Sequence, residues 1–327
     1  MFSAIVINEA GDGIDVGVRD VDDAGLPEGD VVVDIEYSAV NYKDALAIVH
    51  GKPVVRSFPM VPGVDFAGVV RQSSSARWNV GDAVILNGWN VGEARWGGLA
   101  QRARVDGEWL VRPPAAYSTR DAMAVGTAGY TAALCIRGLE AHAIMPGTGP
   151  VLVTGASGGV GSFAVILLAS MGYDVIAATR TPDATGYLTG LGAREVVSSD
   201  EIGTDVRALG TQRWAGAVDT VGGSVLAGVI SSTNENGAVA ACGNAGGMDL
   251  PSSVAPFILR GVTLVGINCV TTPLAQRDDA WSLLAAHAPH DVLEGVVEEI
   301  GLADAIPFAR RLLANEITGR VVVDVNR

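Results

Sequence analysis

The chain has 327 residues, 49% of them hydrophobic, so it can bury substantial cores and is long enough for two domains. Its 22 basic and 36 acidic residues give a formal net charge of −14. This acidity argues against nonspecific binding to nucleic acid, and an anionic substrate would need a local basic patch. Lys43 and Lys52 are the only lysines, so arginine carries almost all of the positive charge.

The three cysteines, Cys135, Cys242 and Cys269, have no paired spacing and fit a reducing compartment. Glu9 interrupts the apolar run at the N-terminus, which indicates a first strand rather than a signal peptide. No apolar run approaches the length of a membrane span. We therefore expect a cytoplasmic protein with no membrane and no nucleic-acid partner.

The first third of the chain is rich in short β-type runs separated by Gly, Pro, Asp and Asn turns. This pattern predicts a compact, mostly β, barrel-like domain. The predicted strands are 3–7, 31–39, 64–71, 83–86 and 99–105. An Ala-rich helical segment over 119–139, interrupted by glycines at 126 and 129, is predicted to bridge to the next domain.

Residues 151–161, VLVTGASGGVG, predict a strand, a glycine-rich turn and a helix. Such a turn aims the N–H groups of the helix start at one point, where the helix dipole is positive and a pyrophosphate fits. Ala156 replaces the usual first glycine, so the fingerprint is A-x-G-x-x-G, and a turn without a ligand is the alternative. The residues predicted to bind a dinucleotide here are Ser157, Gly158, Gly159, Val160 and Gly161.

A second buried strand is predicted at 173–179, about 20 residues on, where an acid would bind a ribose 2′-OH. No Asp or Glu ends this strand, which runs into Thr179, Arg180 and Thr181. A guanidinium suits a 2′-phosphate, and the missing carboxylate removes a repulsion. The pattern predicts NADPH rather than NADH, with these three residues in the cofactor site. The alternative is that Arg180 is a solvated loop residue.

Strands and helices alternate from residue 151, which predicts an α/β Rossmann domain with a doubly wound, parallel six-stranded sheet. The predicted strands are 151–154, 174–179, 194–198, 215–220, 237–242 and 262–267, and the predicted helices are 160–171, 183–191, 203–210, 223–232 and 252–260. Helices near 275–287 and 302–316 and a strand at 320–325 should return to the first domain. The predicted domains are 1–122 with 271–327, and 123–270.

Several blocks in fixed order carry a family resemblance over essentially the whole chain. They are 41–47 (NYKDALA), 58–68 (FPMVPGVDFAG), 88–93 (GWNVGE), 96–100 (WGGLA), 126–129 (GTAG), 153–161 (VTGASGGVG) and 256–260 (PFILR). The chain resembles the medium-chain dehydrogenases/reductases, within them the zinc-free quinone-oxidoreductase-like branch, and most closely the NADPH-dependent acrylyl-CoA reductases. The resemblance implies a mostly β GroES-like catalytic domain and reduction of the conjugated C=C of acryloyl-CoA to propanoyl-CoA.

The zinc ligands of the related alcohol dehydrogenases have no counterparts here. Asn41 stands at the matching Cys position, and Gly63-Val64-Asp65 replaces their Gly-His-Glu motif. Their lobe of four clustered cysteines is also missing. Because zinc needs three or four N, S or O ligands, we expect no catalytic metal.

Hydride transfer to a C=C next to a carbonyl requires donors for the developing oxyanion and a proton for the α-carbon. Tyr42 is the first candidate for contact with nicotinamide or substrate and for proton donation, and Asn41 for orienting the thioester carbonyl. Asp44 either acts as acid or base, or orders a helix start, as a first-turn acid or by pairing Lys43. The alternatives are a Tyr packed at a strand end, an Asn that caps a turn, and a Lys43 that is solvated rather than bound to phosphate or an oxyanion.

The resemblance implies further cofactor contacts. Thr127 would lie beside the nicotinamide, and backbone after the fifth and sixth strands would bind it at Gly243, Asn244, Ile267 and Asn268. Asn315, which flanks the final turn together with Arg320, completes this set.

The CoA end of the substrate has no fingerprint. Arg56, Arg95 and Arg260 are candidates for a basic patch, with ordinary surface or ion-paired roles as the alternative. Trp89 and Trp96 either wall the substrate cleft or pack in a core. The resemblance implies a homodimer formed through the last strand of the nucleotide domain, 262–267. The alternative functions are an NADPH-dependent quinone or generic enone reductase, and a non-catalytic NADPH-binding protein.

Overall fold

The computed structural model describes residues 1–327, apart from the side chain of Pro182. The strands are β1 (Phe2–Ala10), β2 (Gly13–Val21), β3 (Val31–Ala39), β4 (Asp65–Ser73), β5 (Ala83–Asn87), β6 (Arg102–Val105), β7 (Val151–Thr154), β8 (Val175–Thr179), β9 (Glu195–Ser198), β10 (Trp214–Asp219), β11 (Thr233–Ala241), β12 (Thr263–Gly266), β13 (Val297–Gly301) and β14 (Arg320–Asp324). The helices are α1 (Tyr42–His50), α2 (Thr119–Glu140), α3 (Gly159–Ser170), α4 (Thr185–Gly190), α5 (Ser199–Gly203), α6 (Gly223–Ser231), α7 (Ala255–Arg260), α8 (Leu274–His287), α9 (His290–Glu294) and α10 (Ala305–Leu313).

The chain divides into two compact units. The first unit comprises Met1–Thr127, Cys269–Ala285 and Pro289–Arg327, and the second comprises Ala128–Asn268 and Ala286–Ala288. Among the residues that the structure describes, no helix is both long and apolar enough to cross a membrane.

The first unit is mostly β. One sheet has the strand order β13-β14-β3-β4-β5, with β6 also paired to β3, and β1 pairs antiparallel with β2. Its core holds apolar side chains from these strands and from α1 and α10, among them Val33, Phe66 and Phe308. The strand β2 was not predicted, because most of its side chains are exposed or half-buried and leave no clear alternation of apolar residues.

The second unit is the predicted Rossmann domain. Its sheet has the order β12-β11-β10-β7-β8-β9, and all of its strand pairs are parallel. The strands β7 and β8 are buried throughout, as is typical of a sheet covered by helices on both faces. The order of connection reverses between β7 and β10, and a ligand of such a sheet binds outside the carboxyl ends of the strands at this point.

The predicted helix at 203–210 is wrong. The helix in this region is α5, and it ends at Gly203. Ser198 caps its first turn by accepting a hydrogen bond from the backbone N–H of Asp200, so the polar residues before Gly203 start the helix earlier than expected. Two further elements of the first unit, α9 and β13, were also not predicted.

Candidate active site

The glycine-rich loop between β7 and α3 is shaped by three glycines spaced three residues apart. Gly155 has a φ of 58°, which places the left-handed residue one position before the Ala156 that the sequence fingerprint starts from. The N–H of Gly158 donates to the carbonyl of Gly155 (3.0 Å), and Gly158 is the residue before the first turn of α3. The working pattern is therefore G-x-x-G-x-x-G rather than the predicted A-x-G-x-x-G.

Gly161 lets α3 pack directly on this loop. A Cβ built at Gly161 would lie 2.3 Å from the carbonyl oxygen of Gly155 and 2.6 Å from the Cα of Ala156. No side chain fits in that space, because the neighbouring atoms are backbone. The close contact leaves the N-terminus of a 12-residue helix at the carboxyl edge of the sheet, which is a favourable place for a phosphate.

The end of β8 holds the loop in place through hydroxyl groups. Thr179 is buried, and its Oγ1 lies 3.0 Å from the Oγ of Ser157 and accepts a hydrogen bond from the N–H of Thr181 (3.0 Å). Thr179 therefore orders the loop from within. Arg180 follows it and is exposed, without a carboxylate partner among the described residues.

A cavity of about 540 Å³ opens at the carboxyl ends of β11 and β12. Four of the residues predicted to bind the cofactor line it, namely Gly243, Asn244, Ile267 and Asn268. Its volume is in the range of a small-molecule site. The structure thus brings the predicted residues after the fifth and sixth strands into one cavity of the second unit.

In the first unit, Asn41 joins three charged side chains, two of which lie far from it in the sequence. Its Nδ2 donates to Asp44 Oδ2 (3.1 Å) and to Asp65 Oδ1 (3.0 Å), and its Oδ1 accepts from the guanidinium of Arg320 (2.9 Å). We call Asn41, Asp44, Asp65 and Arg320 the buried charge network.

Asp44 orders the start of α1. Its Oδ2 accepts a hydrogen bond from the backbone N–H of Asn41 (2.9 Å), and its Oδ1 accepts from the backbone N–H groups of Gly63 (3.1 Å) and Val64 (2.9 Å). These bonds fix the helix start to the segment that leads into β4. The structure therefore gives Asp44 the predicted first-turn role, and its partner is not Lys43, which binds Glu93 at 2.8 Å instead.

Asp65 and Arg320 complete the network. Asp65 begins β4, and its Oδ2 accepts from the backbone N–H of Thr127 (2.6 Å). Arg320 begins β14 and donates to the carbonyl of Ala124 (3.3 Å). A Cβ built at Gly126 would lie 2.3 Å from a guanidinium nitrogen of Arg320, so only glycine fits where α2 bends around this pair.

The network holds two carboxylates and one guanidinium out of water. Burial, and then the nearby charge of Asp65, raise the pKa of Asp44 to about 7. Burial also raises the pKa of Asp65, while the charge of Arg320 opposes this change. Since two carboxylates face one cation, the network can hold one proton near neutral pH.

Tyr42 and Asn315, also predicted from the sequence, are not part of this network. Tyr42 is the first residue of α1, and 44% of its surface is exposed. Asn315 follows α10 with a φ of 59°, a conformation that Asn tolerates better than most residues. The proposed cofactor contacts of Tyr42, Thr127 and Asn315 remain predictions.

The three candidate arginines for a CoA patch differ in their partners. Arg56 lies 3.5 Å from Glu93, and Arg260 donates to the carbonyls of Gly210 (2.6 Å) and Ser231 (3.0 Å). Arg260 therefore has a structural role, in which its hydrogen bonds connect backbone segments of the second unit. Arg95 has no carboxylate within 4.0 Å among the described residues.

Sequence reasoning missed Asp65 as a functional residue and treated Arg320 only as a neighbour of the final turn. Both are buried and charged, with exposures of 0% and 5%. Asp65 left a signal, because a lone acid inside the apolar block 58–68 has to find a partner when it is buried. Arg320 left none, since its partner Asn41 is 279 residues away in the chain.

Comparisons with known proteins agree with this architecture. The family model described as "Zinc-binding dehydrogenase" matches residues 159–286, and the one described as "Alcohol dehydrogenase GroES-like domain" matches residues 27–115. The acrylyl-CoA reductase AcuI of Ruegeria pomeroyi is 49% identical over 329 residues, which cover 100% of both chains. The putative quinone oxidoreductase YhfP of Bacillus subtilis is 42% identical, covering 99% of this chain and 98% of that protein.

Among solved structures, the YhdH oxidoreductase of Salmonella enterica in complex with NADP superimposes with a TM-score of 0.97. It is 48% identical, and the match covers 99% of each chain. The likeness therefore extends over both units.

The residues of the first unit do not fit the zinc ion that the first family description suggests. Among the described residues, no group of three or more His, Cys, Asp or Glu side chains could hold a metal ion. Asn41, which stands where the zinc enzymes have a cysteine ligand, binds a guanidinium through its Oδ1. A second cation beside Arg320 would meet its charge, so no step of the chemistry is assigned to zinc.

Proposed function

The chain belongs to the medium-chain dehydrogenase/reductase superfamily, and from this premise we propose that it reduces a short α,β-unsaturated acyl-CoA thioester with NADPH. The reaction is acryloyl-CoA to propanoyl-CoA and needs no zinc. The observation that carries the proposal is the 49% identity to an acrylyl-CoA reductase over the whole of both chains. Residues 1–122 with 271–327 are the proposed catalytic domain, and residues 123–270 the proposed nucleotide domain.

The second unit offers a site that fits a dinucleotide. The glycine loop fits a pyrophosphate at the start of α3, and the exposed Arg180 fits a 2′-phosphate. The cavity lined by Gly243, Asn244, Ile267 and Asn268 offers backbone and amide groups to the nicotinamide end. Bound NADPH would supply the hydride.

In the first unit, the geometry favours a positioning role for Asn41 rather than direct contact with the thioester. Both N–H bonds of its amide donate to carboxylates, and its oxygen accepts from Arg320. The amide therefore has no donor left for a substrate carbonyl. It holds Asp44 and Asp65 side by side, where a proton can be shared.

Tyr42 is the proposed proton donor. It follows Asn41 directly, and its phenol is half-exposed at the start of α1. The hydroxyl can donate to the enolate oxygen or to the α-carbon, and at this half-exposed position solvent can restore the proton. Solvent is the alternative donor.

The proposed reaction is tested by steady-state kinetics with NADPH. We expect kcat/KM for acryloyl-CoA to exceed that for quinones and simple enones by at least tenfold. The reverse ranking would favour the quinone or enone reductase, of which the quinone activity is the one in the name of the Bacillus relative. Tyr42→Phe should lower kcat about 10²-fold with little change in KM, as expected for a lost general acid. An unchanged kcat would point to solvent.

The proposed NADPH preference is tested at Arg180. Arg180→Ala should raise KM for NADPH about tenfold or more and leave KM for NADH unchanged, since only NADPH carries the 2′-phosphate. Arg207→Ala, at another exposed arginine of the second unit, is the matched control. Equal changes for both cofactors would contradict the assignment.

We also propose a cytoplasmic homodimer. The strand β12 is the edge of its sheet, and the nearby segment exposes Val254 (66%), Ile258 (73%) and Leu259 (66%). An open edge beside exposed apolar side chains favours association with a second copy. The three cysteines have no paired spacing in the sequence, which suits a reducing compartment. Sedimentation as a monomer at micromolar concentration would contradict the dimer.

A further inference from the structure

A second cavity, of about 220 Å³, lies in the first unit. Two arginines, two tryptophans and a glutamate line it, together with Pro and Val side chains; the five are Arg95, Arg104, Trp96, Trp109 and Glu28. None of its lining residues belongs to the buried charge network. The cavity is smaller than the 300 Å³ or more that a whole small-molecule ligand takes, so it suits one end of a larger ligand.

The two arginines have free charge to offer. Arg95 lies over the ring of Trp109, with its guanidinium carbon 4.9 Å from the centroid, and Arg104 makes only long contacts to the carbonyls of Leu26 (3.4 Å) and Pro27 (3.5 Å). Among the described residues, neither has a carboxylate within 4.0 Å. Two such arginines in one cavity of a chain with a net charge of −14 indicate an anionic ligand.

The other lining groups favour a purine beside that anion. Tryptophan faces stack on nucleobases, and arginine adds a cation–π contact. The carboxylate of Glu28 can accept a hydrogen bond from an exocyclic amine of adenine, whereas it would repel a phosphate. The cavity therefore matches an adenine ring that carries phosphate groups.

One loop joins this cavity to the buried charge network. Residues 88–98 carry Arg95 and Trp96, and Gly92 and Gly97 of the same loop pack on Gly63. A Cβ built at Gly92 would lie 3.0 Å from the N of Gly63, and one built at Gly97 would lie 2.2 Å from its O. Gly63 in turn donates to Asp44. A ligand that spans from the network can thus follow a single loop to the cavity.

We propose that this cavity binds the 3′-phosphoadenosine end of the CoA moiety. The inference rests on the proposed function, because only an acyl-CoA substrate presents an adenine nucleotide to the first unit. Arg95 and Arg104 bind its phosphates, Trp96 packs against the base, and Glu28 accepts from the adenine amine, while Trp109, which is stacked on Trp89 at 6.3 Å, holds Arg95 in place.

Kinetics with truncated substrates test the assignment. The double variant Arg95→Gln/Arg104→Gln should raise KM for acryloyl-CoA at least tenfold at unchanged kcat, and leave KM for acryloyl-pantetheine unchanged, since that substrate lacks the nucleotide. Arg112→Gln, at an exposed arginine over the ring of Trp78 in the same unit, is the matched control. Equal increases for both thioesters would overturn the subsite.

A binding measurement separates this inference from the proposed reaction. With NADPH at saturation, adenosine 3′,5′-bisphosphate should bind the wild type with at least tenfold higher affinity than the double variant by calorimetry. Equal affinities would overturn the subsite, whether or not acryloyl-CoA is reduced. If the wild type binds the bisphosphate in an arginine-dependent manner but reduces neither thioester, the proposed reaction fails while the adenine-nucleotide subsite stands.

Discussion

In the second unit, the nucleotide loop offers backbone N–H groups and bare glycines, whereas in the first unit the buried charge network consists of four polar side chains. The loop requires glycines without side chains, because a Cβ at Gly161 would lie 2.3 Å from a backbone oxygen. The network depends on charges that are present, because each of its carboxylates is buried. Adding a methyl group should therefore disrupt the loop, and removing a charge should destabilise the network.

The largest effect is expected at Arg320. Arg320→Met would leave Asp44 and Asp65 buried without the nearby guanidinium charge, and leaving buried charges uncompensated in this way costs about 3–5 kcal/mol. The free energy of unfolding, measured in urea, should fall by that amount, and activity should be lost. Arg311→Met, at an exposed arginine of α10, should change it by less than about 0.5 kcal/mol.

A double variant in which both residues are uncharged separates the effect of unbalanced charge from the effect of lost packing. Adding Asp65→Asn to Arg320→Met removes one of the stranded carboxylates and should restore part of the stability. If the double variant is no more stable than Arg320→Met, packing rather than charge holds this region together.

The next effect is expected at Gly161. Gly161→Ala forces the start of α3 away from the loop, and overpacking of this kind costs about 1–3 kcal/mol. The shift also displaces the N–H groups proposed to bind the pyrophosphate, so the Kd for NADPH should rise more than tenfold in a fluorescence titration. Gly186→Ala in α4 is the matched control, because a Cβ there meets nothing within 4 Å. Equal Kd values for the two variants would contradict the role of Gly161.

The two sites also differ in how much of each the sequence could predict. The loop lies within 151–161, and its glycines are recognisable because each has a local steric reason. Even there, the fingerprint was aligned to start at Ala156, whereas the left-handed residue is Gly155, since the angle φ is not visible in the sequence. The fold of the second unit was also predictable from local sequence, because its buried strands are continuous apolar runs.

The network was predicted only in part, because its members come from three separate elements, α1, β4 and β14. Asn41 and Asp44 were found through their shared segment at the start of α1. Arg320 could be placed against them only once β14 paired antiparallel with β3, a long-range register that no local pattern specifies. In the sequence, Asn41 and Asp44 could equally have been a turn cap and a helix-start acid. Only the fold shows that they form one connected group with Asp65 and Arg320.

The pH dependence of stability sharpens the comparison, because the network contains a group that titrates near neutrality and the residues of the nucleotide loop, 155–161, contain no ionisable side chain. The pKa of Asp44 is about 7 in the folded protein against an ordinary value of 3.8, so the folded state binds more protons than the unfolded state between these values. Stability from this group is therefore lost as pH rises towards 7. Relative to Asp44→Asn, the wild type should lose about 1–2 kcal/mol between pH 5.5 and 7, because the slope falls below 1.36 kcal/mol per pH unit as the pH approaches the folded pKa. If the free energy of unfolding, measured in urea, changes equally with pH in the two proteins, Asp44 does not titrate in this range.

The smallest effect is expected at an ion pair outside both sites whose histidine is exposed. His290 Nδ1 lies 2.8 Å from Asp121 Oδ1, and this partner raises the pKa of His290 above 6.5. The contribution is then complete below pH 6.5 and is lost as pH rises through the folded pKa. His290→Gln should lower Tm slightly at pH 5.5 and not at pH 9, and the difference should vanish in an Asp121→Asn background. A Tm loss as large as that of Arg320→Met would refute the view that burial, rather than ion pairing itself, makes the charges of the network indispensable.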